Sequence, residues 1–338
     1  KVALTGQVLE QMSNDAVAAA YQDGVRIFAR TTPAQKMKIV QVLQGLGQVV
    51  AMTGDGVNDA PALRAADMGI AMGQQGTDVA REAAQIVLLD DNFASIVAGV
   101  EEGRTVFANI RKFTNYVLVS NGPEILPYLL FVLFPVPLAL TVIQILSIDL
   151  GTDIVPSMAL GREPPEPGIM KQPPRGRDVH LLDFGLIAHS YFFLGLIEAA
   201  WSLTIFAWVM HAGGWRLGMA LPASSDPVYR SATGAALATI LLMQIGNLIG
   251  RRSQWRSGLD AGLWKNPLLL AGIAIQVLFS WGVLYWAPLQ HVLGTGPVAL
   301  EVYAMAWIGV PLIFGADWLR KQLQRIRSRR ESGPARSE

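Results

Sequence analysis

The last two thirds of the chain carry six apolar stretches, at 113–134, 138–160, 184–210, 231–250, 267–286 and 301–319. Each is close to the ~20 residues that a helix needs to cross a hydrocarbon layer. This pattern constrains the fold more than any other feature, and it predicts an all-α membrane bundle of six transmembrane helices. Composition agrees: 51% of the 338 residues are hydrophobic, and the mean hydropathy of +0.35 is high for a soluble protein. Arg162, Lys171, Arg175 and Arg177 follow the second stretch, and Arg251, Arg252, Arg256 and Lys265 follow the fourth. The opposite loops hold only Arg216 and Arg230, so the positive-inside rule puts the first third and both ends of the chain in the cytoplasm. Trp201, Trp208, Trp215, Trp281 and Trp286 read as interfacial anchors.

Charged groups inside the first two stretches are the exception that needs a reason. SNGPE (120–124) and IDLGTD (148–153) bring Glu124, Asp149 and Asp153 to bilayer depth, where a charge costs roughly 2.5–3.5 kcal/mol on insertion scales. Asn121 and Glu124 are three apart, and Asp149 and Asp153 are four apart. Each pair therefore shares a helix face, and the FPVP turn (134–137) can bring the faces together. Pro123, Pro127 and Pro156 remove backbone donors, and Gly122 and Gly151 loosen the same turns. The loosened turns are expected to leave carbonyl oxygens free to act as ligands for a hard cation. The competing reading is that these groups only tie helices together by hydrogen bonds, but such contacts usually use Ser, Thr, Asn or Gln.

The first third has a different grammar. Strands at 25–29, 48–53, 68–72 and 85–89 alternate with helices at 33–46, 58–66 and 77–84, the pattern of an α/β layer with a parallel sheet. TGDGVNDAP (53–61) follows the second of these strands, where ligands of open parallel sheets sit. Asp55, Asn58 and Asp59 suit Mg²⁺, which one or two carboxylates hold together with phosphate and water; an Asx-rich helix cap is the alternative. Lys36 stands near the same strand ends and could neutralise a phosphoryl group, although a helical lysine is more often only solvated.

FARTTPAQKMKIV (28–40), MTGDGVNDAPAL (52–63), DNFASIVAGVEEGR (91–104), SNGPE, IDLGTDIVPSMALGRE (148–163) and a PPR triplet (173–175) occur in that order. Together they resemble the C-terminal half of P-type cation-transporting ATPases of the calcium-pump and sodium/potassium-pump branch. The fold that this resemblance implies is a partial phosphorylation domain of the α/β haloacid-dehalogenase-like class, at 1–112, whose last helix enters the membrane. The six-helix transport domain follows at 113–319 and a basic cytoplasmic tail at 320–338.

By resemblance, Asp55 ligates Mg²⁺ beside a phosphorylated aspartate, Asn58 and Asp59 order that site, and Lys36 contacts the phosphoryl group. The same likeness assigns transported-cation oxygens to Asn121, Glu124, Asp149, Thr152 and Asp153, with Tyr116 and Ser120 alongside. Gln244 and Asn247, three apart, look like the contributors of the fourth helix. Asn247 and Gln276 stand where the sodium/potassium pump has acids, which puts a third sodium site in doubt. Glu198 admits either a proton path or a packing role and is not included in the site.

The implied function is ATP-driven transport of a hard cation through an aspartyl-phosphate cycle. Calcium is the first expectation, and Asp149 keeps sodium, potassium and protons open. DKTGT, TGE, a nucleotide-binding domain, an actuator part and the family's first four membrane helices are not found. With Lys1 first and no leader pattern, the chain is expected to begin inside a longer protein and to need that upstream part to use ATP and Mg²⁺. The expected location is the plasma membrane, in contact with the lipid bilayer. Net charge of +1 without a basic domain face argues against nucleic acid, and the lack of cysteine excludes disulfides and thiolate metal sites. A non-catalytic membrane binding module is the alternative; a soluble phosphatase fails on the membrane stretches and on the missing nucleophilic aspartate.

Overall fold

The computed structural model describes residues 3–176, 179–260 and 262–331. Arg177 and the tail beyond Glu331 lie outside the described residues. The chain forms two compact units, Lys1–Gly103 with Met170–Val179, and Arg104–Ile169 with His180–Glu338.

The first unit holds β1 (Ala3–Thr5), α1 (Gly6–Gln11), α2 (Asn14–Gln22), β2 (Ile27–Ala29), α3 (Pro33–Gly45), β3 (Ala51–Gly54), α4 (Ala60–Ala65), β4 (Met68–Met72), α5 (Asp78–Ala83) and β5 (Ile86–Leu88). Its strands are parallel, as expected, but they form two small sheets: β1 pairs with β2, and β3-β4-β5 make the other. The strand over 25–29 therefore does not join the sheet that carries the TGDGVNDAP turn. Its partner β1, too short to show alternation in the sequence, is an addition.

Helix starts follow local chemistry. Thr32 and Gln35 form a reciprocal capping box at 3.3 and 3.0 Å with Pro33 at the first turn of α3. Thr77 caps α5 through the Ala80 N–H. Asp91 adopts φ +48° and accepts from the backbone N–H groups of Gly73, Gln74 and Gln75, which explains why an acid occupies left-handed space there. The Ser95 hydroxyl, at 2.7 Å, and the Asn92 backbone N–H hold the Asp90 carboxyl below its ordinary pKa.

α6 runs from Phe93 to Leu133 without interruption. The turns expected to loosen around SNGPE thus stay helical. Pro123 and Pro127 each delete one hydrogen bond, but close packing of the adjoining residue offsets the loss: a Cβ on Gly122 would lie 2.6 Å from the Gly195 Cα. The loosening expected at IDLGTD is present as a break, since α7 (Val142–Gly151) and α8 (Ile154–Gly161) are separated at Thr152 and Asp153. The remaining helices are α9 (Phe184–His189), a π-helical turn at Ser190–Gly195, α10 (Leu196–Ala212), α11 (Pro227–Arg251), α12 (Pro267–Tyr285), α13 (Ala287–Leu293), α14 (Leu300–Trp307) and α15 (Gly309–Glu331).

Six helical spans among the described residues are long and apolar enough to cross a membrane: Phe93–Leu133, Val142–Gly161, Phe184–Ala212, Pro227–Arg251, Pro267–Tyr285 and Leu300–Arg327. α11 is the core of this unit, with 94% of its apolar window buried against 22–39% in the other five. Its small residues let neighbours approach closely; a Cβ on Gly246 would collide with the Val310 carbonyl. Trp208, Trp281 and Trp286 are exposed, whereas Trp201 packs on the buried Val119, Leu194, Met243 and Ile313.

Ionic groups at the spans' ends are buried in partnership. Asp317 pairs with Arg251, with Lys321 at 2.7 Å and with Arg320 at 3.1 Å. Arg252 reaches Glu163 at 3.1 Å and Asp260 at 3.0 Å. Burial works against the Arg252 charge, but the hydrogen bonds and charges of Glu163 and then Asp260 outweigh it and raise the guanidinium above its ordinary pKa.

Candidate functional site

Two constellations predicted from the sequence can be built from these elements, one in each unit. In the first unit β3 ends at Gly54, and a 3₁₀ turn at Val57–Asp59 leads into α4. Gly54 is required there: a Cβ would come 2.5 Å from that of Asp59. Asp55 and Asn58 are exposed, while Asp59 is 6% exposed and bonds the Lys36 Nζ at 2.6 Å. The capping box at Thr32 sets the first turn of α3 and so brings Lys36 to this turn. The Asp55 carbonyl accepts from the Thr77 N–H at 2.8 Å, which leaves its exposed carboxylate available.

These residues fit Mg²⁺ in part. Asp55 offers one hard oxygen ligand, whereas Asp59 is committed to Lys36. Among the described residues no group of three or more acids, His or Cys could hold a metal by itself. An ion bound by one carboxylate completes its shell with phosphate and water.

In the second unit the break between α7 and α8 turns Asp153 inward. Asp153 is 4% exposed and accepts from the Tyr116 hydroxyl at 3.0 Å and the Ser120 hydroxyl at 3.1 Å, both on α6. Glu124, one turn further along α6, is buried, and its Oε1 has no hydrogen-bond partner. Neither acid, nor Asp149, forms a salt bridge among the described residues. Thr152 is buried with its hydroxyl on the Ile148 carbonyl, Asp149 is half-buried, and the Asn121 amide donates to the Tyr191 hydroxyl at 3.2 Å in the π-helical turn. Such turns are frequent at functional sites.

The network continues through the fourth and fifth spans. Gln276 donates to the Tyr116 hydroxyl at 2.7 Å. Asn247 donates to the Tyr116 carbonyl at 3.2 Å and to Gln244 Oε1 at 2.9 Å. Gln244 in turn donates to both oxygens of Glu198, at 3.0 and 3.2 Å. One chain of hydrogen bonds thus joins Asp153, Ser120, Tyr116, Gln276, Asn247, Gln244 and Glu198. Asp149 and Asn121 are outside it. Sequence reasoning left Glu198 and Gln276 out of the site. A single acid inside an apolar span was the available signal for Glu198, and nothing in the spacing marked Gln276.

Comparison with known families gives two matches in chain order. Residues 2–67 match the haloacid dehalogenase-like hydrolase model, and residues 137–323 match that of the cation transporting ATPase C-terminus. Among curated relatives, the human sodium/potassium-transporting ATPase subunit alpha-4 is 39% identical over 323 residues, covering 88% of this chain and 31% of that protein. The human potassium-transporting ATPase alpha chain 2 is 38% identical over 358 residues, covering 96% and 34%. The chicken (Gallus gallus) sodium/potassium-transporting ATPase subunit alpha-3 is 51% identical over 196 residues, covering 57% and 19%. The chain spans about a third of the length of the first two of these relatives.

Proposed function

The chain belongs to the P-type cation-transporting ATPases, as a C-terminal portion, and from that membership we propose that it carries the ion pocket and one edge of the phosphorylation site of an ATP-driven pump. The transported ion is a monovalent cation: Na⁺, K⁺ or H⁺. The calcium expected from the sequence has no support in the relatives, which are named for sodium and potassium. The non-catalytic alternative has no observation in its favour.

One observation carries the pocket. Asp153 and Glu124 are buried acids in membrane spans with no ion pair among the described residues, and Glu124 keeps an oxygen with no partner. Buried carboxylates left this way need a bound ion or a proton. Asn121, Asp149, Thr152, Gln244 and Asn247 supply further oxygens at or near this pocket. In the soluble unit, Asp55 would ligate Mg²⁺, and Lys36, steered by Asp59 with Asn58 beside it, would meet the phosphoryl group. Bound there, Mg²⁺ would offset charge as phosphate moves. The phosphorylated aspartate, the nucleotide- and actuator-domain functions and further membrane helices belong to the rest of the pump. Its location is the plasma membrane, with the loops at 162–183 and 252–266 on the cytoplasmic side.

Acid-stable phosphoenzyme formation by the full-length pump tests this. Labelled ATP and Mg²⁺ are supplied while Na⁺, K⁺, H⁺ or Ca²⁺ is varied singly. Phosphorylation triggered by Na⁺ or H⁺, or dephosphorylation accelerated by K⁺, is expected. Dependence on Ca²⁺ alone, or no phosphoenzyme from folded protein, would defeat the proposal.

A further inference from the structure

Away from the ion pocket, His189 ends α9 near the start of the third span and packs between three other spans. Its Nδ1 lies 3.3 Å from the Asn115 amide nitrogen of α6, and its Nε2 lies 3.6 Å from Asp317 Oδ1 of α15. Neighbours fix the polarity of these contacts. Arg251 of α11 donates to Asn115 Oδ1 at 2.8 Å, so the other end of that amide is its NH₂. The Ser190 hydroxyl donates to the Leu186 carbonyl at 2.8 Å and therefore accepts from the Asn115 NH₂, also at 2.8 Å. Both bonds orient the amide the same way. Its second N–H is left for His189, whose Nδ1 must accept it and carries no proton. The neutral ring keeps its proton on Nε2, facing Asp317.

Protonation of the ring would fall on Nδ1 and set N–H against N–H. Turning the Asn115 amide over brings no relief, because its NH₂ would then meet the Arg251 guanidinium. Charge works in the same direction. Asp317 is the acid facing the ring, and it already pairs with Arg251, with Lys321 at 2.7 Å and with Arg320 at 3.1 Å. An imidazolium would be a further cation around one buried carboxylate, while α6 presents it with the neutral Asn115.

We infer that His189 is a proton-operated latch between the first and third spans. Neutral, it holds α9 and the π-helical turn that follows against α6; protonated, it must leave Asn115, and the two elements part. Ser190 opens that turn, and Tyr191 within it bonds Asn121. Release at His189 therefore loosens a side chain assigned to the ion pocket, so acid weakens cation binding. That consequence rests on the reading of the chain as part of a pump, whereas the latch itself does not. A solvated histidine takes up its proton near pH ~6.5. Below that pH the released form binds more protons than the latched form, so latching is complete above it and is lost as pH falls. From about pH 7.5 to about pH 5.5 the ratio of latched to released molecules drops about tenfold.

Thermal unfolding and cation binding of the full-length protein, each followed over this pH interval, test the latch. His189→Asn keeps an acceptor at the Nδ1 position and cannot take a proton. Acidification should lower the thermal midpoint of wild type more than that of H189N, and should raise its half-saturating Na⁺ or K⁺ concentration by up to about tenfold more. Asn115→Asp replaces the donor facing His189 with an acceptor that suits the protonated ring, so N115D should be less acid-sensitive than wild type. A merely structural role for Asn115 would not produce that change of sign. Equal pH dependence of the midpoint in wild type, H189N and N115D overturns the latch. A midpoint that separates them while no cation binds at any pH leaves the latch standing and defeats the pump. If H189N does not fold, the comparison of N115D with wild type decides.

Discussion

At the scale of single residues, the two sites differ in how they treat their acids. Asp153 is held by two hydroxyls, one from Tyr116 and one from Ser120, so its ligand geometry is set before an ion arrives. Asp153→Asn keeps the shape but places an amide nitrogen where an oxygen accepts now. In the full-length pump it should lower cation affinity by at least tenfold and remove cation-dependent ATP hydrolysis; unchanged stimulation would take Asp153 out of the pocket. Asp55 behaves oppositely, since its carboxylate is exposed and unspent. Asp55→Ala should abolish phosphorylation from ATP and leave cation occlusion measurable by another route. Retained phosphoenzyme would mean that Asp55 is not a Mg²⁺ ligand. The acids of the spans were legible because lipid makes every charge an outlier, so Glu124, Asp149 and Asp153 stand out one by one. The pairing of Lys36 with Asp59 was not, since a contact 23 residues apart depends on where β3 delivers its turn. Glu198 was visible but ambiguous, because its partner Gln244 lies 46 residues away.

At the scale of elements, proline and glycine read correctly in one place and wrongly in another. The IDLGTD stretch breaks its helix at Thr152 and Asp153, which frees the turn that aims Asp153 inward. SNGPE has as much proline and glycine in its neighbourhood, yet α6 stays whole. The difference is tertiary: Gly122 meets Gly195, and no local pattern announces a partner 73 positions away. That glycine pair gives a direct test. Gly122→Val puts a branched side chain where 2.6 Å of room exists, so α6 and the π-helical turn must separate. Overpacking of this kind costs about 1–3 kcal/mol. The expected result is a lower thermal midpoint in detergent and weaker cation binding, because Asn121 loses its bond to Tyr191. A variant with wild-type midpoint and affinity would show that the close approach carries no weight. The second to fifth spans were legible to within a few residues, since apolar length is a one-dimensional property, whereas the helices of the first and sixth run on past their apolar stretches, to Phe93 and to Arg327. The near-complete burial of α11 was not, because an apolar helix facing lipid and one facing protein have similar sequences.

At the scale of the whole molecule, six spans and the sign of the charges between them predict a topology that is independent of any site. Arg162, Lys171 and Arg175 follow the second span, and Arg252, Arg256 and Lys265 follow the fourth. The loops after the first, third and fifth spans hold Arg216 alone. Basic loops resist translocation, so the loops at 162–183 and 252–266 should share the cytoplasmic side and the loop at 213–226 should face the opposite side. The salt bridges of Arg252 to Glu163 and Asp260 agree, because Glu163 comes from the first of these basic loops and Arg252 and Asp260 from the second. Two loops joined this way must lie at the same membrane face. The chain contains no cysteine, so one introduced thiol within it can be read without background from these residues. In sealed right-side-out vesicles, a membrane-impermeant maleimide should label Gly218→Cys and spare Gln172→Cys and Ser257→Cys, and permeabilisation should expose the latter two. If Gln172→Cys and Ser257→Cys divide between the two sides, the span count is wrong by one. If all three labels invert together, the count stands and the orientation is reversed, which would put Asp55 and Lys36 on the side without ATP and defeat the pump.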